Sequence, residues 1–271
     1  MRHFLDFQDI NKNRLENLIE RTRSLEVKPE NLDCMALLKF DEPSTRTRLS
    51  FAVAAEKLGI KTFESSDVIS AKQKGEILKH EVETYVSMGI EILVLRTKEN
   101  NIDDYREFED IAVISAGFGN KSHPTQALVD ISTLYSLNKI NEKRTPVTYV
   151  GDVKHSRVFE SGRQLLTLLG FKVGVFTDKN LLPDNKNELE IYESWGEVFE
   201  NSNAIELLRV QKERLQDKEE INFDEYINSY QLTKDVLNKS QSDLAVLHPM
   251  PINIGIGLSL IHISEPTRPN E

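Results

Sequence analysis

Strand-like and helix-like segments alternate along almost the whole chain. Short apolar runs such as Cys34–Phe40, Ile90–Leu95 and Pro146–Val150 predict buried strands. Segments with helical spacing, such as Ile10–Leu25 and His123–Leu137, lie before and between them. This order favours parallel sheets whose strands are joined by crossover helices. We therefore predict an α/β protein with two doubly wound domains, each a mainly parallel sheet flanked by helices.

Length and charge limit the class of protein and of partner. A chain of 271 residues suits two domains of roughly 100–150 residues each. The net charge of -10 argues against nucleic acid or an anionic membrane as the main partner. The single cysteine, Cys34, excludes an intrachain disulfide or a cysteine-based zinc cluster. The N-terminus lacks the apolar run of a signal peptide, and no stretch reaches the ~18 apolar residues of a membrane span, so we expect a cytoplasmic protein.

The run from Phe40 to Arg48 combines a strand end, a proline turn and a helix start. Three hydroxyl side chains and two arginines fall within the five residues 44–48. The first N–H groups of a helix lack intrahelical partners, so such a turn predicts an anion site. The apolar stripe predicted for the buried face of the following helix is Leu49, Phe51, Val53, Ala54, Ala55 and Leu58. This run alone fits equally well a Ser/Thr helix cap beside solvated arginines.

Further polar runs lie where predicted strands end or helices begin, which is where open α/β sheets bind ligands. They are Ser70–Glu76, Arg96, Ser122–Gln126, Gly151–Arg157, Arg209–Arg214 and His248–Pro251. Each run taken singly is also explained by a solvated charge, a helix cap or a structural turn. The sequence holds no G-x-G-x-x-G, G-x-x-x-x-G-K-[ST], H-E-x-x-H or G-x-S-x-G motif.

Taken together and in this order, the runs resemble the catalytic chains of aspartate carbamoyltransferases, from about Phe4 to Asn253. Ser44–Arg48 and His123–Gln126 are motifs of the wider carbamoyltransferase family. Gly151–Arg157 and Leu208–Arg214 are more specific to the aspartate enzymes. Relatives that use ornithine would carry His-Cys-Leu-Pro near the end, where this chain has His-Pro-Met-Pro.

The resemblance implies transfer of the carbamoyl group of carbamoyl phosphate to the amine of L-aspartate, an early step of de novo pyrimidine synthesis. The residues implied for the phosphate are Ser44, Thr45, Arg46, Thr47 and Arg96. Thr47, Arg96 and His123 would contact the carbamoyl oxygen. Gln126 and the backbone carbonyls of Met250 and Pro251 would accept from the carbamoyl NH2. Arg46, Thr47, Arg96 and His123 are thus the implied catalytic residues, and neither a metal nor an organic cofactor is expected.

For the second substrate, the resemblance implies that Arg157, Arg209 and Gln211 bind the two carboxylates of aspartate. Ser70 and Lys74 would reach the active site of an adjacent subunit, where Lys74 would join in binding aspartate. The expected assembly is therefore a homotrimer with shared active sites.

The domain bounds predicted from the sequence are 1–137 for carbamoyl phosphate and 138–253 for aspartate, with a polar boundary at 138–145. Residues 254–271 contain two glycines and two prolines where relatives continue with an arginine and an acidic helix. They resemble translated adapter DNA, so we expect a non-native tail and an incomplete second domain. Two alternatives stay open: a carbamoyltransferase for another amine acceptor, and an inactive truncated chain that only binds anions.

Overall fold

The computed structural model describes residues 3–24, 32–65, 77–119, 121–140, 147–211, 221–240, 243–252 and 254–258. The chain divides into two compact units. Unit 1 comprises residues 1–132 and 157–168, and unit 2 comprises residues 133–156 and 169–271. Among the helices of these described ranges, none is long and apolar enough to cross a membrane.

Unit 1 is built on a four-stranded sheet in the order β2-β1-β3-β4, and every neighbouring pair is parallel. Its strands are β1 Met35–Phe40, β2 Lys61–Ser65, β3 Ile92–Thr97 and β4 Ala112–Phe118. The helices that begin in it are α1 Lys12–Ser24, α2 Thr45–Lys57, α3 Leu78–Ser87, α4 Pro124–Ser136 and α5 Arg157–Leu169. Because the strands are parallel, their carboxyl ends meet at one edge of the sheet.

Both faces of β1, β3 and β4 are largely buried, as their apolar sequences require, whereas the edge strand β2 is mostly exposed. Leu37 and Leu93 pack with Val82 of α3 on one face. Leu38 and Phe40 pack with Phe51 of α2 on the other. Side chains alternate between the two faces along each strand, so the first residues beyond β1 lie at the sheet edge between two helical layers.

The apolar stripe predicted for α2 is only partly correct. Ala55 is buried and Phe51 packs against the sheet, but Leu49 is 61% exposed and Val53 47% exposed. Leu49 and Val53 are four residues apart and lie on a different side of the helix from Phe51 and Ala55. The apolar arc was therefore wider than the face that the sheet covers.

Unit 2 holds a five-stranded sheet in the order β7-β6-β5-β8-β9, again parallel throughout. Its strands are β5 Val147–Gly151, β6 Val173–Phe176, β7 Leu189–Ile191, β8 Ala204–Leu208 and β9 Ala245–Leu247. Its helices are α6 Trp195–Asn201, α7 Phe223–Tyr230 and α8 Lys234–Leu237. Two parallel sheets flanked by helices confirm the predicted fold class.

Candidate active site

The turn between β1 and α2 presents the start of a helix at the edge of the sheet. Ser44 precedes the helix with a non-helical backbone (φ -157°, ψ 84°). Within the described residues 44–57, the Ser44 side chain caps no N–H of the first turn, and no acidic residue lies in that turn. Thr45 and Arg46 are exposed, and Thr47 is half-buried. Helical N–H groups, hydroxyls and a guanidinium therefore occur together, as an anion site requires.

The second arginine of this motif contacts an acidic side chain of β2. Arg48 Nη1 lies 3.4 Å from Glu64 Oε2, and both side chains are about half exposed. Arg46 and Arg48 are two residues apart, so they point in different directions around α2. Arg46, which is exposed, is the arginine of this turn that the sequence predicts to bind a phosphate.

Glu42, which ends the turn after β1, pairs with arginines from two other elements of unit 1. Arg157 Nη1 donates to Glu42 Oε2 at 3.0 Å and to the carbonyl of Gly119 at 3.0 Å. Arg96 Nε lies 3.3 Å from the same Oε2, and Arg96 Nη1 donates to the carbonyl of Ala116 at 3.4 Å. All three charged side chains are largely buried, so solvent screens their interactions little. The Glu42 carboxylate thus holds the guanidinium groups of Arg96 and Arg157 close together, and it gathers positive charge locally in a chain whose net charge is negative.

Glycines at the end of β4 make room for the Arg157 guanidinium. Gly117 has φ +129°, and a Cβ there would lie 3.1 Å from Arg157 Cζ. Gly119, whose carbonyl accepts from Arg157, has φ +47°. Both positions favour glycine, because other residues rarely adopt such φ values.

His123 is a buried, neutral imidazole directly before α4. The residue is only 7% exposed, and its backbone N–H donates to Ser161 Oγ on α5 at 2.7 Å. Burial lowers the pKa of His123 to about 3, and the charges of Arg157 and Arg96 act in the same direction. Its Nδ1 has no hydrogen-bond partner among the described residues. At neutral pH this ring can donate or accept a hydrogen bond, but it carries no charge.

One helical turn further along α4, Gln126 is half-buried and its amide is fixed. Gln126 Nε2 donates to Asp130 Oδ1 at 2.9 Å. His123, Gln126 and Asp130 are spaced i, i+3 and i+7, so they lie along one side of the helix. The sequence motif beginning at His123 therefore forms a polar stripe that starts next to the buried arginines.

In unit 2, Asp152 ties together the ends of β5 and β8. This fully buried carboxylate accepts from the backbone N–H of His155 at 3.1 Å, from His155 Nδ1 at 2.9 Å and from the backbone N–H of Gln211 at 3.1 Å. Gln211 Nε2 donates in turn to the carbonyl of His155 at 2.9 Å. Arg209, two residues before Gln211, is half-buried, with the buried Val210 between them. Asp152 thereby fixes the turn after β8 that carries Arg209 and Gln211, two of the predicted aspartate-binding residues.

The His-Pro-Met-Pro run follows β9. His248 Nδ1 is 2.7 Å from the carbonyl of Pro249, and burial lowers the pKa of His248. The Met250–Pro251 peptide bond is cis, and Met250 is 55% exposed. The carbonyls predicted to accept from the carbamoyl NH2 thus belong to an exposed segment of unit 2.

Sequence reasoning assigned no role to four residues that organise these sites. Glu42, Asp130, Asp152 and Ser161 each bond to a predicted site residue. Glu42 and Asp152 lie within the polar runs Phe40–Arg48 and Gly151–Arg157, and this position was the sequence feature that could have identified them. Ser161 lies within a helix and has no such signal. The predicted Ser70 and Lys74 lie outside the described residues.

Two family models cover most of the chain. "Aspartate/ornithine carbamoyltransferase, carbamoyl-P binding domain" matches residues 2–136, and "Aspartate/ornithine carbamoyltransferase, Asp/Orn binding domain" matches residues 143–265. The chain belongs to the aspartate/ornithine carbamoyltransferase family. Its resemblance to this family, inferred from the motifs, is therefore confirmed.

Relatives within this carbamoyltransferase family are similar over nearly the whole chain. The aspartate carbamoyltransferase catalytic subunit of Thermus thermophilus is 34% identical over 95% of this chain and 88% of the relative. That of Staphylococcus carnosus is 36% identical over 94% of this chain and 85% of the relative.

Solved structures share the fold. The catalytic subunit of M. jannaschii aspartate transcarbamoylase superposes with a TM-score of 0.77 at 26% identity, covering 95% of this chain and 88% of that one. Ornithine carbamoyltransferase from Pyrococcus furiosus gives 0.82 at 23% identity, covering 98% and 90%. Because enzymes for both acceptors share this fold, the fold alone does not select the amine.

Proposed function

We propose that this carbamoyltransferase moves the carbamoyl group of carbamoyl phosphate to the amine of L-aspartate, giving N-carbamoyl-L-aspartate and phosphate. The observation that carries the choice of acceptor is the turn after β8, where Asp152 fixes Gln211. Arg209 stands beside Gln211 in that turn. A guanidinium there attracts a side-chain carboxylate and repels the ammonium of ornithine. The similarity to aspartate carbamoyltransferase catalytic subunits supports the same choice.

The first substrate is assigned to the domain of residues 1–137. Ser44, Thr45, Arg46 and Thr47 bind the phosphate in this proposal, with Arg96 beside them. Thr47, Arg96 and His123 face the carbamoyl oxygen, where negative charge develops during attack. Preorganised donors at such an oxygen are worth several kcal/mol each. Because its pKa lies near 3, His123 serves there as a neutral hydrogen-bonding group.

The second substrate is assigned to the domain of residues 138–253, with Arg157, Arg209 and Gln211 binding the aspartate carboxylates. The aspartate nitrogen forms a bond to the carbamoyl carbon, and the bond from that carbon to the phosphate oxygen then breaks. The amine proton leaves with the phosphate, which can accept it. Positioning and charge stabilisation supply the acceleration.

The carbonyls of Met250 and Pro251 join Gln126 as acceptors for the carbamoyl NH2 in this proposal. A homotrimer, in which Ser70 and Lys74 enter the site of the next subunit, remains the proposed assembly. A cytoplasmic location is proposed with it.

Two alanine variants test the assignment of the two substrates. Arg46→Ala is expected to lower kcat/KM for carbamoyl phosphate by roughly 100-fold or more. Arg209→Ala is expected to raise the KM for aspartate by roughly tenfold or more with little effect on phosphate inhibition. Arg48→Ala is the matched control, because Arg48 pairs with Glu64 on the surface and its loss should leave both constants near wild type. Near-normal turnover of Arg46→Ala contradicts the phosphate site, and an unchanged aspartate dependence of Arg209→Ala contradicts the carboxylate site.

A further inference from the structure

Asp130 is a buried acidic residue on an otherwise apolar stretch of α4. It is 8% exposed, and its neighbours Ala127, Ile131 and Leu134 are almost completely buried. Its Oδ1 accepts from Gln126 Nε2 at 2.9 Å. A buried carboxylate is costly unless it is hydrogen-bonded, so a position at this depth calls for a reason beyond packing.

The chemistry of the pair fixes which end of the Gln126 amide faces which way. An ionised carboxylate only accepts hydrogen bonds, whereas a glutamine amide has a donating NH2 end and an accepting oxygen. The NH2 end must therefore face Asp130, and Oε1 is the end left for a ligand. A free glutamine offers either end, and the two orientations differ little in shape.

We infer that Asp130 is a positioning residue that makes Gln126 an obligate acceptor and so selects an acyl phosphate carrying an NH2 group. This inference rests on the proposed function, in which Gln126 binds the carbamoyl NH2. Acetyl phosphate has the same carbonyl and phosphate but a methyl group where carbamoyl phosphate has NH2. Asp130 touches neither ligand, and it acts only through the orientation of Gln126.

The size of the effect follows from how each substitution changes the Gln126 amide. Asp130→Ala removes the partner, so carbamoyl phosphate must itself order the glutamine side chain. Ordering a side chain of this length costs the equivalent of roughly three- to tenfold in affinity. Asp130→Asn leaves a partner that accepts in one orientation and donates in the other. If both are equally populated, half of the molecules are competent, and the affinity falls by only about twofold.

The experiment measures binding of carbamoyl phosphate and of acetyl phosphate to the whole chain by calorimetry, together with inhibition by acetyl phosphate. We expect the preference for carbamoyl phosphate to fall roughly three- to tenfold in Asp130→Ala and about twofold in Asp130→Asn, with acetyl phosphate unchanged. The matched control is Glu160→Ala on α5, because Glu160 Oε1 accepts from Gln164 Nε2 at 3.0 Å, again between an acid and a glutamine four residues apart on one helix. Here the acidic residue comes first, and it also pairs with Arg163. That variant should keep the wild-type preference.

A double variant that exchanges the acid and the amide between positions 126 and 130 tests the same inference if the alanine variant misfolds. In Gln126→Glu with Asp130→Asn, the amide at 130 donates to the carboxylate at 126, whose second oxygen is again only an acceptor. The new charge weakens both ligands, but their ratio should return toward the wild-type value.

Equal weakening of both phosphates in the single variants overturns the inference in favour of a purely structural role. So does an Asp130→Asn variant that loses as much preference as Asp130→Ala, since charge rather than orientation would then matter. A wild-type chain that binds both phosphates but forms no carbamoyl-aspartate contradicts the proposed function alone, because the binding ratio still tests the role of Asp130.

Discussion

The depressed pKa of His123 makes the stability of the protein depend on pH in a specific way. The imidazole titrates near its ordinary value of 6.5 in the unfolded chain but only near 3 in the folded one, because it is buried beside Arg157 and Arg96. Between pH 6.5 and pH 3, His123 is therefore mostly protonated in the unfolded state and mostly neutral in the folded state. Because protons bind preferentially to the unfolded state, His123 lowers the free energy of unfolding as the pH falls from 6.5 toward 3.

A pH of 5.0 lies about 1.5 pH units below the pKa of the imidazole in the unfolded chain. At 1.36 kcal/mol per unit, the group therefore lowers the free energy of unfolding at this pH by about 2 kcal/mol. At pH 7.5 the contribution is close to zero. Replacing the ring by His123→Gln removes the titrating group. We therefore expect the loss of unfolding free energy between pH 7.5 and 5.0 to be smaller by about 2 kcal/mol in His123→Gln than in the wild type.

Urea unfolding followed by far-ultraviolet circular dichroism at the two pH values measures this difference. The control is His80→Gln, which removes an exposed histidine of the same unit. As a surface substitution, it should change the free energy of unfolding at pH 7.5 by less than about 0.5 kcal/mol. A His123→Gln variant with the same pH dependence as the wild type would contradict the lowered pKa of His123, since the ring would then be protonated in the folded state.

Two further predictions concern buried charges. Lys39 Nζ lies 3.1 Å from Glu81 Oε1 and 3.5 Å from Asp41 Oδ1, so Lys39→Met should lower the free energy of unfolding by about 3 kcal/mol and Tm by roughly 6–12 °C in calorimetry. Lys79→Met, which removes an exposed pair on α3, should cost less than about 0.5 kcal/mol, and equal losses in the two variants would contradict the prediction. Asp152→Asn places an NH2 where the carboxylate accepts three hydrogen bonds, so kinetics should show the KM for aspartate raised by roughly tenfold. An unchanged KM would show that the turn after β8 keeps its shape without the carboxylate.

The strands were predictable because burial leaves a simple mark on the sequence. Cys34–Phe40 was expected as a strand, and the structure has Met35–Phe40. Ile205–Leu208 was expected, and the structure has Ala204–Leu208. Parallel strands buried on both faces read as continuous apolar runs, and the alternation with helices then fixes the fold class.

The secondary structure of the acidic segment 181–203 could not be predicted from hydrophobic patterns. This segment contains β7, a strand of three residues, and α6, a helix of seven. Elements this short hold too few residues to establish a period of 2.0 or 3.6. Their formation depends on packing, as when Trp195 stacks on Phe199 and meets Phe176 edge to face.

The contacts between the site residues could not be predicted from the sequence, because they join positions that are far apart in the chain. The motifs placed Arg96, His123 and Arg157 at strand ends and helix starts, where the structure has them. The pairing of Glu42 with Arg157 spans 115 positions, and that of Asp152 with Gln211 spans 59. Such contacts arise from the order of strands in the sheets, which local sequence does not encode.

Carbamoyl phosphate labelled with carbon-13 tests the proposed choice of acceptor when it is supplied with L-aspartate or with L-ornithine. We predict that the label appears in N-carbamoyl-L-aspartate, with one phosphate released per product, and that ornithine gives no carbamoylated product. Labelled citrulline formed from ornithine, or no transfer to aspartate by the folded protein, would contradict the proposed function.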